Sequence, residues 1–397
     1  MTTYSGPRTR PELPQVSSSI DQEPLNDPTG RPRLREAVAV LAVFLVGAAG
    51  VLWWMKSPSP PAAGAPATYV GEADCRGCHP GESAAYARSG HSRTLRRVAG
   101  SSLVSQLDGL TVTDPERPNV TWSYHRDGDG LAAERLEGDS VERLILEYIF
   151  GSGHHAKTFV SLTKRDARDP ALIEHRLSLF AHQSEPGLTP GLSLTGSAEG
   201  NTPAGRHHGR SNTLKCFECH TTVTSSRGAG VLEPATMIPN VTCERCHGPG
   251  REHVVAARAG KPPEKLRMRL GAGRVSPVEE LKFCGQCHRL PSMLDAGPAS
   301  IVPENPTLVR HQPVGLMQSA CYLRTDGGIA CSTCHNPHAR PSTDTVAYEQ
   351  ICNSCHVGSS KTSCPVNPST GCVGCHMPRR ETTRGMKFTD HWIRKKP

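Results

Sequence analysis

Seven times in this chain two cysteines stand three positions apart with a histidine directly after the second: Cys75, Cys78 and His79; Cys216, Cys219 and His220; Cys243, Cys246 and His247; Cys284, Cys287 and His288; Cys331, Cys334 and His335; Cys352, Cys355 and His356; Cys372, Cys375 and His376. Positions i, i+3 and i+4 share one face of a helical turn, so two thiols and an imidazole converge on one side. This is the spacing that attaches a haem through two thioethers and supplies its first axial ligand. Cys-x-x-Cys pairs also furnish half of a tetrahedral zinc site. Zinc has no need of histidine after every second cysteine, however, and with 19 His in 397 residues seven such neighbours arise by chance with a probability on the order of 10⁻⁹. The pattern therefore predicts seven covalent haems c, consuming fourteen of the sixteen cysteines.

Only 36% of the residues are hydrophobic and 5% aromatic, lean for a core in a chain of this length. Porphyrins would supply the missing apolar surface, which leads to the expectation that haems are the core and that the apoprotein does not fold. The formal charge of +8 would suit a nucleic-acid surface, but no basic helix with interleaved aromatics is present. Haem propionates bring the total to about +1 oxidised and roughly −6 reduced. Nucleic acid is therefore excluded as a partner.

Residues 1–36, with six prolines, read as a disordered cytoplasmic tail. Residues 37–55 carry no charge and are just long enough to span a bilayer. Arg31, Arg33 and Arg35 before the span keep its start in the cytoplasm. The apolar run is long for a cleaved signal peptide, and the nearest small-residue site, at Ala65 and Ala67, is distant, so an uncleaved anchor is preferred. Residues 56–68, rich in Pro and Ala, form a spacer. Residues 69–397 are the haem domain, placed outside the cytoplasm in the periplasm or its equivalent, where haem c is attached and cysteines meet oxidising surroundings.

Within that domain the expected fold is mainly α with extensive coil, organised around haems. Residues 100–210 lack attachment motifs and read as a small α/β lobe. Strands are expected at Thr121–His125, Lys157–Leu162 and His175–Ala181, and an amphipathic helix at Val141–Phe150. Short helices are expected at Glu82–Ser89, Glu264–Leu270 and Pro277–Phe283. From His220 on, the attachment histidines are 27, 41, 47, 21 and 20 residues apart, with no repeat period to indicate a solenoid.

Twelve histidines lie outside the motifs and form the pool from which sixth ligands are drawn. His338 follows His335 across Pro337, and His253 follows His247 across Gly248, Pro249 and Gly250; each turn redirects the second ring toward another haem. His91 ends the first segment, His154 follows the flexible Gly151, Ser152 and Gly153, and His391 would tie down the C-terminal tail. These five are the preferred distal ligands, ahead of His155, His182, His207, His208 and His311. Met317 and Met377 are near motifs, although Met377 directly follows its own proximal histidine. Cys321 and Cys364 are left over, either paired with each other or present as free or ligating thiols.

Tyr69, Val70 and Gly71 leading into Cys75, then Ser89, Gly90 and His91, resemble the opening of multihaem cytochromes related to cytochrome c-554. So do Cys243 to Gly250 with His253, Cys334 to His338, Cys375 to Pro378, and Phe388 to His391. The likeness covers about residues 69–397. It implies covalent haem c, closely packed haem pairs, mostly bis-histidine ligation, and electron transfer outside the cytoplasm, and it adds weight to His91, His253, His338 and His391.

The leading expectation is an electron-transfer protein working between redox partners, the redox chemistry being the cofactor's. An enzyme reducing or oxidising a small nitrogen or sulfur compound would need one five-coordinate haem. A quinol dehydrogenase, drawing on the bilayer through the haem nearest the anchor, is the third possibility.

Overall fold

The computed structural model describes residues 69–194, 200–266, 268–270, 275–294, 296–357, 364–382 and 386–395. The tail, the anchor at 37–55 and the spacer expected from sequence lie outside these residues. Among the described residues no helix is long and apolar enough to cross a membrane.

Two antiparallel sheets dominate the first half of the described chain, so the expectation of a mainly helical protein with a small α/β lobe is corrected to a mixed fold with substantial β structure. β1 (Leu95–Arg97) precedes a four-stranded meander of β2 (Thr111–Asp114), β3 (Arg117–Asp127), β4 (Gly130–Glu137) and β5 (Ser140–Leu146), in that spatial order. The larger sheet runs β1, β6 (Tyr148–Phe150), β7 (Ala156–Lys164), β8 (Ala171–Phe180), β11 (Gly205–His208) and β10 (Asn201–Thr202), with β9 (Gly187–Leu188) pairing the edge of β8. The helix expected at Val141–Phe150 is β5 and β6. Its side chains alternate, Val141, Arg143 and Ile145 outward and Leu144 and Leu146 inward, which is a period of two rather than 3.6. The three expected strands fall within β3, β7 and β8, the last expected one running a residue beyond Phe180.

Two-residue hairpins at Gly128-Asp129 and Gly138-Asp139 join β3 to β4 and β4 to β5. Each glycine has positive φ, +61° and +56°, as a tight turn with glycine in its first central position requires. The sheets share one core: Val112, Trp122, Tyr124, Leu131 and Leu144 from the meander meet Ile149, Phe159, Ile173 and Leu177 from the larger sheet, closed by Leu103, Val104 and Leu107 of the helix Ser102–Leu107. On the opposite face of the larger sheet the alternate residues Tyr148, Val160, Leu162 and Leu172 pack with Leu214, Phe217 and Leu232. Leu214 and Phe217 belong to the helix Arg210–His220, so the second attachment motif is mounted on the back of the sheet. Fully burying side chains of this kind stabilises by about 1.5–3 kcal/mol each.

This core is built of protein alone, which corrects the expectation that haems are the whole interior. Beyond residue 240 the architecture changes. Short helices and turns carry the remaining motifs, and among the described residues the buried hydrophobics are few: Val241, Leu281, Leu308, Val309, Val314, Ala330 and Met386.

Candidate functional site

Each attachment motif sits on a helical or turn segment, as its spacing requires. Cys216–His220, Cys284–His288 and Cys352–His356 end the helices Arg210–His220, Pro277–His288 and Thr345–His356, while Cys243–His247 and Cys372–His376 are five-residue helices of their own. In the first and fifth motifs the histidine N–H closes the turn on the first cysteine's carbonyl, His79 to Cys75 at 2.8 Å and His335 to Cys331 at 2.9 Å. Pro277 at the first helical position and a capping box between Ser276 and Glu279 start the fourth motif's helix. Pro80 does more than end the first turn. It begins the helix Pro80–Ala87, which delivers Ser89, Gly90 and His91.

Four motif histidines face a second imidazole. Ring centres are 6.2 Å apart for His79 and His253, 6.3 Å for His91 and His288, 5.9 Å for His247 and His338, and 6.1 Å for His335 and His391. Two metal–imidazole bonds of about 2.0–2.1 Å, plus about 1.1 Å from each ligating nitrogen to its ring centre, require about 6.2 Å. The paired residues therefore fit two axial ligands on one iron. His154 stands opposite no motif histidine among the described ring pairs; it packs against Gly90, and its Nε2 is buried without a hydrogen-bond partner.

Backbone carbonyls orient these rings. Nδ1 donates to Leu270 O from His247 at 2.6 Å, to Leu266 O from His253 at 2.8 Å, to Thr389 O from His391 at 2.9 Å, to Thr94 O from His220 at 3.0 Å and to Arg394 O from His376 at 2.8 Å. His91 donates to Pro337 O. A proton fixed on Nδ1 leaves the Nε2 lone pair for a metal. Burial pushes His391 down to about 4 and holds His91, His247, His288 and His335 below the usual imidazole range. Burial thus favours the neutral form of these five rings, the form that ligation needs.

Residues between the motifs set the approach. Glu244, inside the third motif and buried, accepts from Val70 N and Gly71 N, both at 2.9 Å, and from Gly250 N at 2.8 Å. It ties the start of the first motif to the turn that presents His253. A Cβ on Gly250 would lie 2.9 Å from Val70 Cγ2. Gly315 admits the C-terminal segment, since a Cβ there would lie 2.8 Å from Trp392 N and 2.9 Å from His391 C. Sequence reasoning passed over both residues. An acid within an attachment motif was the available signal for Glu244; nothing local marked Gly315.

The thiols connect the motifs. Cys75 stands near Cys243, Cys219 near Cys287, and Cys284 near Cys331. Cys246 is near enough to Cys284 and Cys287 for their charges to interact, as is Cys352 to both Cys334 and Cys372. Each of the seven motifs thereby has a thiol of another motif nearby, the fourth standing near the second, third and fifth. Among the described residues the zinc alternative gains one cluster, Glu280 with Cys284 and Cys331, but Glu280 is already engaged by Ser332 N at 2.7 Å and Ser332 Oγ at 2.6 Å. Of the alternatives for Cys321 and Cys364, the two are not bonded to each other; Cys321 is near enough to Cys334 and Cys355, and Cys364 to Cys372, for their charges to interact.

The remaining histidines are placed as follows. His175 is fully buried between the sheets, bonded through Nε2 to Tyr124 Oη at 3.0 Å. His208 meets Glu174 at 3.1 Å, His125 approaches Glu134 at 3.8 Å, His182 lies against Phe180, and His155 packs on Phe388. His207 is exposed on β11, and His311 lines a cavity with Arg289 and Met293. His356 ends its helix in an exposed position.

Repeated thiol pairs with imidazoles facing one another define the donor set of a multihaem c-type cytochrome. Residues 195–248, which include the second and third motifs, match the family model of cytochrome c554 and c-prime, and covalent haem c is what that match implies. Among solved structures, that of the outer cell wall cytochrome OcwA is similar, with 17% sequence identity, a TM-score of 0.42, and coverage of 82% of this chain and 79% of that one. No curated protein matches the chain.

Proposed function

We propose that the chain is a membrane-anchored heptahaem cytochrome whose haem domain, outside the cytoplasm, passes electrons between redox partners. The proximity of the seven attachment motifs to one another in an unbroken series carries this reading, because haems bound there would be near neighbours from the first motif to the last. His91, His253, His338 and His391 would complete the coordination of the fourth, first, third and fifth haems. Bound haem supplies one-electron chemistry, and a six-coordinate iron is limited to it. The chain's own residues hold, space and desolvate the metal centres.

A second reading, catalysis at one haem on a small nitrogen or sulfur compound, has one observation in its favour. His220 meets the edge of Phe150, with ring centres 4.9 Å apart, and no second imidazole faces it among the described ring pairs. Paramagnetic resonance of the purified ferric protein separates the two. The wire predicts low-spin signals unmoved by nitrite or hydroxylamine; a large high-spin fraction that shifts with either ligand would replace it with the enzyme. Reduction by quinol analogues tests the remaining possibility, a quinol dehydrogenase.

A further inference from the structure

Beside His91 the chain gathers positive charge without an acid to balance it. Arg93 precedes β1 and Arg96 lies within it, Lys157 lies on β7, and His154 packs against Gly90, where a Cβ would sit 3.8 Å from His154 Cδ2. Arg340, three residues beyond the Pro337 carbonyl that His91 engages, adds its charge to His154. Arg93 Nε, Arg96 Nε, Arg96 Nη2 and His154 Nε2 are all buried with no hydrogen-bond partner, as is Ser89 Oγ, in a residue only 1% exposed. Among the described residues none of the four Arg and Lys side chains forms an ion pair.

The mutual effects agree with that imbalance. Burial and Arg93 hold Arg96 below its ordinary range, burial and Arg96 do the same to Lys157, and burial, Arg340, Arg93 and His155 lower His154. Buried donors and cations left unpaired are costly. Such a cluster is stable only with an anion that fills several donors at once, and guanidinium forks match carboxylates and oxyanions in geometry.

We infer that Arg93, Arg96, Lys157 and His154 form a receptor for carboxylate or oxyanion groups beside His91, and that its positive charge raises the reduction potential of the haem attached at Cys284 and Cys287. The inference rests on the reading that His91 and His288 hold that haem. Two sources offer the chemistry: the haem's own propionates, which arrive with covalent attachment, and a small free oxyanion. Positive charge opposes the ferric state, which carries one charge more than the ferrous. Losing it lowers the potential.

The test is a spectroelectrochemical titration of the full-length, haem-loaded protein as wild type, Arg96→Gln, Arg96→Lys and Lys157→Gln, with haems first counted by intact mass. A wild type lacking haem at Cys284 and Cys287 defeats the underlying reading before the receptor is tested. With seven haems present, Arg96→Gln and Lys157→Gln should shift one ferric–ferrous equilibrium about tenfold toward ferric, about 59 mV for a one-electron couple, and Arg96→Lys should restore most of it. If added phosphate and nitrite leave the wild type unmoved, the occupants are the propionates. If either anion moves the wild-type midpoint saturably and not that of Arg96→Gln, the occupant is a free oxyanion. Should Arg96→Gln shed one haem that Arg96→Lys keeps, the need for charge is upheld. Midpoints equal to wild type in both Gln variants, with all haems retained and no response to anions, overturn the receptor.

Discussion

The β-sheet lobe and the attachment region after residue 240 are held together by different means. In the lobe, Trp122, Tyr124, Phe159 and Leu177 are shut away from solvent by two sheets and a helix. In the attachment region the helices of the third and seventh motifs are five residues long, too short to persist in water unaided, and they present few buried apolar side chains to one another. The paired imidazoles there stand apart by the reach of two metal bonds. The comparison teaches that one chain can fold half of itself by hydrophobic burial and leave the other half to its prosthetic groups.

The ion network of the lobe offers the largest effect. Arg176, with 0% side-chain exposure, is forked onto Asp114, bonds Glu116 at 3.0 Å and donates to Leu192 O at 2.7 Å. Asp114→Ala removes the fork and leaves the guanidinium with Glu116 and Leu192 O alone, and removing one partner of a buried pair costs about 3–5 kcal/mol. Hydrogen exchange should show that loss in β2, β3 and β8 while the haem count by mass stays the same; a loss of haem from the motifs after residue 240 would mean that the two regions are not separate.

Acid should find the lobe next. Burial pushes His175 down to about 3 from an ordinary 6.5. Between those values the unfolded chain binds a proton that the folded lobe refuses, so stability is complete above pH 6.5 and falls as pH drops toward 3, by about 1.4 kcal/mol per unit. In His175→Gln the lobe's stability should have a shallower slope across that window. Equal slopes would show that this histidine does not set the lobe's acid limit.

A smaller effect sharpens the contrast from the other side. Gly315→Ala forces its methyl into the backbone at His391 and Trp392, an overpacking cost of about 1–3 kcal/mol. Resonance spectra should show the ligand field altered at a single haem, the one attached at Cys331 and Cys334, with lobe exchange unchanged. Spectra identical to wild type would remove His391 from its assigned place.

Local pattern and tertiary arrangement are unequally legible in the sequence. The motifs declare themselves, because haem attachment is written in five consecutive residues. The turns before His253 and His338 bring both residues forward, and they stand across from His79 and His247. That His91 reaches His288, nearly two hundred residues on, is decided by packing and is invisible to any local rule. The sheets escape for a different reason. Gly128-Asp129 and Gly138-Asp139 are hairpin signals, but Val141, Ile145 and Ile149 also recur at four-residue intervals, so a helical period competes with the period of two in the same stretch. His154 has a flexible approach, whereas position depends on what the approach ends against: here, Gly90 and a group of cations.

The division between the halves is tested most directly by hydrogen exchange on the full chain prepared with and without haem attachment. Without haem, β2 to β8 should retain protection close to that of the loaded protein while the segments from Cys243 to His391 exchange as an unfolded chain. Protection preserved across those segments in the haem-free protein, or lost throughout the chain, would contradict the account.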